Sequence, residues 1–231
     1  MMTLVVIIPA YNEENSILAI LDELYAKVPN IFEIIVVDDC SKDRTCEIVE
    51  TYILNHPNVR LLKSPANMGK TAALRRGFKA STGDIVVIQD ADLEYNPEDI
   101  PRIIEPIQNG KADVVYGSRF LVRRTTRVLY FRHYLANRFL TFISDLLTDM
   151  NMTDIETGYK AFRGDLIRSI EITSKNFGFE AEITAKVSKL KCRVYEVPIS
   201  YFGRTYEEGK KIRFTDALAA FYYIFRYNIF K

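Results

Sequence analysis

Short uninterrupted apolar runs alternate with longer amphipathic segments through the first half of the chain. Residues 4–8, 33–38, 59–62, 85–89 and 113–116 form such runs. They have strand length and are apolar enough to be buried on both faces of a sheet. Between them, residues 12–28, 41–54, 71–80 and a segment opening at Asn96-Pro97 carry helix signals. Asn12 is placed to cap the first helix, with Glu13 and Glu14 in its opening turn. Ser41 is placed to cap the second, and Pro97 suits the first position of the fourth. Strands alternating with helices predict an α/β fold with a mostly parallel central sheet and flanking helices. Ligands in such sheets bind beyond the carboxyl ends of the strands. The polar clusters of this chain fall there, after Ile8, Val37, Ile88 and Tyr116.

The second half has a different texture. Residues 119–144 hold six arginines (Arg119, Arg123, Arg124, Arg127, Arg132, Arg138) and His133, without any Asp or Glu. Val128, Leu129, Tyr130, Phe131, Leu135, Phe139 and Phe142 are interleaved with them, and the pattern predicts a helix over 128–147. A further helix is expected over 180–190 and a strand over 193–201, interrupted by Pro198. A polar stretch, 203–213, leads to an aromatic-rich segment, 217–230, read as a helix that either faces a membrane or packs on the core. The chain thus divides into a catalytic domain, 1–212, and a C-terminal amphipathic tail, 213–231.

Composition narrows the class. The 231 residues are 48% hydrophobic and 26% charged, with a net charge of only +1, which is globular usage and disfavours nucleic acid as a partner. Three scattered cysteines make neither a disulfide framework nor a Cys-rich zinc site. They fit a reducing compartment. The N-terminal run has no basic segment before it and is cut short at Pro9, so it reads as a strand and not as a signal peptide. No uninterrupted apolar stretch reaches the about 20 residues that span a bilayer.

The strongest chemical signal is Gln89-Asp90-Ala91-Asp92-Leu93-Glu94, directly after a predicted strand. Carboxylates at this spacing suit a hard divalent cation, and such a cation can neutralise a diphosphate leaving group. An acidic turn before the Pro97 helix is the plainer alternative. Pro9-Ala10-Tyr11-Asn12-Glu13 offers a ring to stack on a base and a carboxylate to accept hydrogen bonds from it. Val37-Asp38-Asp39 ends the second strand, where acidic residues read ribose or base edges. Asn67-Met68-Gly69-Lys70-Thr71 looks like the end of a phosphate-binding loop, but Ser64 stands where the full pattern needs Gly. A Gly-Lys turn near phosphate remains a reasonable reading.

These segments, with Gly117-Ser118-Arg119, Asp154, the run from Glu156 to Arg163, Phe179-Glu180-Ala181-Glu182, Glu196-Val197-Pro198-Ile199, Arg204 and Gly209-Lys210, resemble the ordered motifs of family 2 glycosyltransferases with the GT-A fold. Within that family the likeness is to polyprenyl-phosphate hexosyltransferases of the dolichol-phosphate mannose synthase type, over about residues 4–212. The resemblance implies that Pro9, Tyr11, Glu13, Val37 and Asp39 hold the nucleotide, with Ala91 contacting it through its backbone. It implies that Asp90, Asp92 and Glu94 hold Mg²⁺ or Mn²⁺, the family often having Gln in place of Glu94. Arg119 and Arg132 would meet a lipid phosphate, and Arg204 and Lys210 would clamp phosphates. The family's Ser-Lys-Leu is here Lys210-Lys211-Ile212, so both lysines are candidates for that last role.

The expected reaction moves a hexosyl group from a nucleotide-sugar donor, GDP-mannose or a UDP-sugar, to a polyprenyl or dolichyl phosphate with inversion. A phosphate monoester is largely dianionic near neutrality, so it needs arginines to position it and no general base. The interleaved arginines and apolar residues favour an interfacial segment over the alternatives, a solvated basic face or a nucleic-acid patch. The expected location is therefore the cytoplasm, peripheral at the cytoplasmic face of a membrane or on a membrane-embedded partner. Three alternatives stay open. One is transfer to a saccharide, with Glu180 or Glu182 as base; another is sugar nucleotidyl transfer; the third is a non-catalytic nucleotide-sugar-binding protein.

Overall fold

The computed structural model describes residues 2–121, 127–128, 130–176, 178–205, 207 and 214–230. The first half builds β1 (Leu4–Ala10), α1 (Ile17–Lys27), β2 (Ile31–Asp38), α2 (Thr45–Ile53), β3 (Val59–Lys63), α3 (Lys70–Ala80) and β4 (Ile85–Ile88). A single 3₁₀ turn at Pro97–Asp99 then leads into α4 (Ile100–Gln108) and β5 (Val114–Ser118). The second half supplies α5 (Phe131–Thr148), β6 (Lys160–Arg163), α6 (Gly164–Ser169), α7 (Phe179–Lys189), β7 (Val194–Pro198) and α8 (Phe214–Asn228).

The strands form one sheet in the order β3-β2-β1-β4-β6-β5-β7. Among the described strands only β6 runs antiparallel to its neighbours; the remaining pairs are parallel. The continuous apolar runs are explained by burial on both faces. Val6, Ile8, Val36 and Val87 pack toward Ile20, Leu24, Ile103 and Ile107 of α1 and α4. The alternate residues Val5, Ile7, Val37 and Val86 pack toward Leu74, Phe78, Ile183 and Val187 of α3 and α7. Each fully buried side chain of this kind contributes about 1.5–3 kcal/mol.

Two capping expectations are corrected. α1 begins at Ile17, not at Asn12, and α2 begins at Thr45, not after Ser41. Asn12 adopts a left-handed conformation (φ 53°). Its N–H donates to Ser41 Oγ at 2.9 Å and its Oδ1 accepts from the Lys42 N–H at 2.8 Å. Both side chains therefore join the loops after β1 and β2 to each other instead of capping helices, which is the competition for local partners that Asn and Ser offer. Asp43 takes over beside α2, accepting from the Thr45 N–H and hydroxyl at 3.0 and 2.6 Å. β6 is an element the hydrophobic pattern did not announce: it is four residues long, and a buried lysine, Lys160, opens it. α8 packs Ala220 and Ile224 into the second core cluster while Leu218 and Tyr222 stay exposed.

Asp113 ties the far edge of the sheet together. Its carboxylate accepts from the Arg193 backbone N–H at 2.9 Å, from the Arg193 guanidinium at 2.8 and 3.0 Å, and from Arg163 at 3.0 Å. These donors, the Arg193 guanidinium first, hold its carboxyl well below the usual carboxylate range. A group depressed in the folded state stabilises above its unfolded pKa of about 3.9 and loses that contribution as pH falls below it. Asp113→Asn is accordingly expected to lower the melting temperature at pH 7 and to flatten its decline below pH 4. Parallel melting curves for the two proteins from pH 7 to pH 3 would contradict this role.

Candidate active site

The chain builds from β1 outward through β2 to β3 on one side and then places β4 on the other side of β1, so a crevice opens past the carboxyl ends of β1 and β4. The expected residues gather around it. Pro9 pairs with Val37 across the β1–β2 ladder, and the Asp39 N–H donates to the Ala10 carbonyl at 2.8 Å. Pro9 and Tyr11 are partly exposed, as is Glu13, whose carboxylate accepts from Ser16 Oγ at 2.8 Å. Val37 is buried with its side chain in the core, so it can meet a nucleotide only through its backbone. Ala91 is buried as well.

Asp39 has a role the sequence did not reveal. It is buried, and its carboxylate accepts from the Met68 N–H at 3.0 and 3.1 Å and the Gly69 N–H at 2.6 Å. It thereby fixes the turn before α3, where Gly69 sits at φ 86°, a conformation open to glycine at little cost. From the other side, the Asn176 carbonyl accepts from the Thr71 N–H at 3.1 Å and its hydroxyl at 2.6 Å. The first turn of α3 is thus pinned twice, and this aims Lys70 at the acidic turn.

That turn is held by Gln89, whose N–H donates to the Ile7 carbonyl at 3.0 Å and whose Oε1 accepts from the Tyr159 hydroxyl. Lys70 Nζ lies 2.7 and 2.9 Å from the two Asp90 oxygens and 3.9 Å from Glu180. Arg204 reaches the remaining carboxylates, with its guanidinium 2.8 Å from Asp92 and 3.1 Å from Glu94. Its backbone N–H also donates to Glu94, at 3.0 Å. Tyr201 donates its hydroxyl to the other Glu94 oxygen at 2.8 Å. Burial, then the neighbouring Asp90 and Glu94 charges, push the Asp92 carboxyl up to about 7 despite Arg204 and Lys70. The same carboxylates hold the Lys70 ammonium and the Arg204 guanidinium above their ordinary values against their own burial.

The donor set fits a hard divalent ion in part. Among the described residues no three acidic, histidine or cysteine side chains converge as a closed metal cluster. Glu94 is turned to Tyr201 and Arg204 and is not gathered with the aspartates. Asp90 and Asp92 remain as paired carboxylates at a strand end, and one or two carboxylates completed by substrate phosphates are a common way to hold Mg²⁺.

The arginines separate. Arg119 is nearly buried and makes a two-pronged pair with the fully buried Asp154 at 2.7 and 2.8 Å, adding its own N–H at 3.1 Å. Its guanidinium also lies 5.2 Å from the centre of the Tyr201 ring. Asp154 is set by Glu196 of β7, which accepts from the Thr153 and Asp154 N–H groups at 2.9 and 3.2 Å. Arg132 is exposed in the first turn of α5. Lys210 lies outside the described residues, as do Arg123 and Arg124. Tyr201 is the site-building residue missing from the sequence-based reading; Asp154 and Glu196 enter it only as motif members without a role, and Lys70 only as part of a phosphate-type turn. For Lys70 the Gly-Lys turn was a usable signal.

A buried charged layer lies beneath. Burial, reinforced by Glu180, pushes the Glu156 carboxyl up to about 7, and burial pushes the Lys160 ammonium down to about 8, offset in part by Glu180 and Glu156. Glu182, one candidate base for a saccharide acceptor, is fully buried and accepts from the Thr173 and Ser174 N–H groups, both at 2.8 Å, and from Lys186 at 2.6 Å. It is a structural anion.

The doubly covered, mostly parallel sheet places paired aspartates and two cations at its switch point, where such folds bind ligands, and the fold is that of GT-A glycosyltransferases. Residues 5–170 match Glycosyl transferase family 2, and the chain belongs to that family; it is a glycosyltransferase. It is 32% identical over 219 residues to an undecaprenyl-phosphate mannosyltransferase of Micrococcus luteus, covering 90% of this chain and 87% of that one. It is also 32% identical over 212 residues to a dolichol-phosphate mannosyltransferase of Pyrococcus furiosus, covering 89% of this chain but only 58% of the relative's length. In fold it is similar to glucosyl-3-phosphoglycerate synthase from Mycobacterium tuberculosis, crystallised with Mn²⁺, UDP and glucosyl-3-phosphoglycerate. That match has a TM-score of 0.73 at 21% identity and covers 98% of this chain and 80% of that one.

Proposed function

We propose that the protein transfers a hexosyl group from a nucleotide sugar to a polyprenyl or dolichyl phosphate, releasing a nucleoside diphosphate with inversion at the anomeric carbon. The names of the two sequence relatives favour a mannosyl donor. The observation that carries the reading is the Asp90/Asp92 pair at the switch point, flanked by Lys70 and Arg204. Mg²⁺ or Mn²⁺, when held by Asp90 and Asp92, supplies charge neutralisation at the departing diphosphate. Arg204, with Lys210 or Lys211, adds cationic contacts to that diphosphate. Pro9, Tyr11, Glu13 and the Val37 and Ala91 backbones line the nucleotide, and Asp39 shapes the wall behind it.

The acceptor phosphate has a second pKa of about 6, so it arrives already ionised and is positioned by Arg132. Arg119, locked on Asp154, fixes the wall it approaches. The exposed faces of α5 and α8 support an interfacial location on a membrane or a membrane-embedded partner. Phe131, Leu135, Phe139, Phe142 and Leu146 are all exposed at helical spacing beside Arg132 and Arg138. No described helix is long and apolar enough to cross a membrane.

Transfer is tested with GDP-mannose and UDP-hexoses, each offered a polyprenyl phosphate or an oligosaccharide, with Mn²⁺ or with chelator. A glycolipid product that needs the metal is expected. Glycosylated oligosaccharide as the sole product, or release of pyrophosphate, would replace this reading with one of its rivals.

A further inference from the structure

Three carboxylates of the acidic turn, Asp90, Asp92 and Glu94, are matched in this structure by two side-chain cations. Lys70 holds both oxygens of Asp90, and its position is dictated by the backbone, because Asp39 and Asn176 clamp the turn from which it projects. It therefore cannot retreat far from Asp90 without unwinding the first turn of α3, but its flexible stem lets Nζ swing. We propose that Lys70 exchanges partners: it occupies the Asp90 oxygens until a divalent ion takes them, and then turns to the donor diphosphate. The inference rests on the metal-dependent reading above and adds a residue and a coupling to it.

Two consequences follow from electrostatics. A cation must be displaced for a divalent ion to bind Asp90, so affinity for the ion alone is reduced. The displaced ammonium gains a new anion only if the diphosphate is present, so ion and nucleotide strengthen each other's binding, and by linkage they do so equally. A lysine that only braced the loop would give neither effect. An ammonium suits this exchange better than a guanidinium, since it is a compact charge on a flexible stem with rotatable donors.

The test is Mn²⁺ binding followed by electron paramagnetic resonance, with and without GDP or UDP, on the full chain and on Lys70→Met and Lys70→Gln. Lys70→Gln keeps a hydrogen-bond donor for Asp90, should the methionine variant fold poorly. Both variants are expected to bind Mn²⁺ alone about tenfold more tightly, the effect of removing one competing charge at close range. Both are expected to bind nucleotide more weakly and to lose most of the mutual enhancement, while Lys70→Arg retains part of it. Unchanged or weakened binding of Mn²⁺ alone in the variants would overturn the exchange, as would undiminished enhancement. Asp92→Asn separates the two levels of the argument. If that variant binds Mn²⁺ like the wild type, the metal reading itself fails; if it loses Mn²⁺ while the Lys70 variants behave like the wild type, only the exchange fails.

Discussion

Asp92→Asn is expected to lower sugar transfer by about a thousandfold, the scale on which removal of a preorganised charge-stabilising group acts, while leaving the metal-free protein no less heat-stable than the wild type. The two effects come from the same geometry. Asp92 sits beside Asp90 and Glu94 with little access to water, and its carboxyl is pushed up to about 7. A carboxyl whose folded pKa lies above its unfolded value of about 3.9 costs stability above the folded pKa and is relieved of that cost as pH falls toward the unfolded one. Asparagine keeps the shape and an oxygen to accept from Arg204, now at 2.8 Å from Asp92, and removes the crowded charge. Initial rates with Mn²⁺ and melting curves in chelator at pH 7.5 check the pair of outcomes. Substantial residual transfer would remove Asp92 from the metal site. A markedly lower melting temperature would mean that the ion pair with Arg204 outweighs the repulsion.

Much of this arrangement was legible in the chain. The apolar runs 4–8 and 85–89 gave strands at Leu4–Ala10 and Ile85–Ile88 because strands covered by helices on both faces have no polar side to show. The acidic turn was legible as a cluster because its carboxylates directly follow a buried strand, and the structure gathers Lys70 and Arg204 onto them. Helix starts were misjudged where Asn12 and Ser41 bond across loops from different parts of the chain, a choice that local sequence does not encode. β6 escaped because Lys160, buried over the Tyr116 ring at 4.9 Å, breaks the apolar pattern. The resemblance implies a phosphate contact for Arg119; what the sequence does not show is that its guanidinium is also paired with a buried carboxylate. Its partner Asp154 is 35 residues away and was brought to it by Glu196 from another strand. Pairings between distant residues are set by the topology, and periodicity reports only on neighbours.

Gly158→Ala is expected to cost about a hundredfold in turnover, with a smaller loss of stability, although Gly158 is not itself among the expected ligands. Its N–H donates to the Tyr95 hydroxyl at 2.8 Å, which draws the turn before β6 against the floor of the site. A methyl group there would overlap the Asp90 Oδ2 oxygen and lie 3.0 Å from the Tyr95 ring. The ring cannot yield easily, since Tyr95 is buried and packs at a tilt against Tyr159 and Tyr201, at 4.9 and 5.3 Å between centres. The carboxylate is the softer neighbour, so Asp90 must swing away from its place opposite Asp92. A misplacement of about 1 Å in a reacting arrangement is enough for a hundredfold loss, whereas overpacking at one methyl costs about 1–3 kcal/mol. Turnover and Mn²⁺ affinity should therefore fall together, in a protein whose circular dichroism is unchanged. If turnover fell while Mn²⁺ bound as in the wild type, the methyl group would be acting through Tyr95 and the 201–205 segment instead, and Asp90 would not be the ligand that Gly158 makes room for.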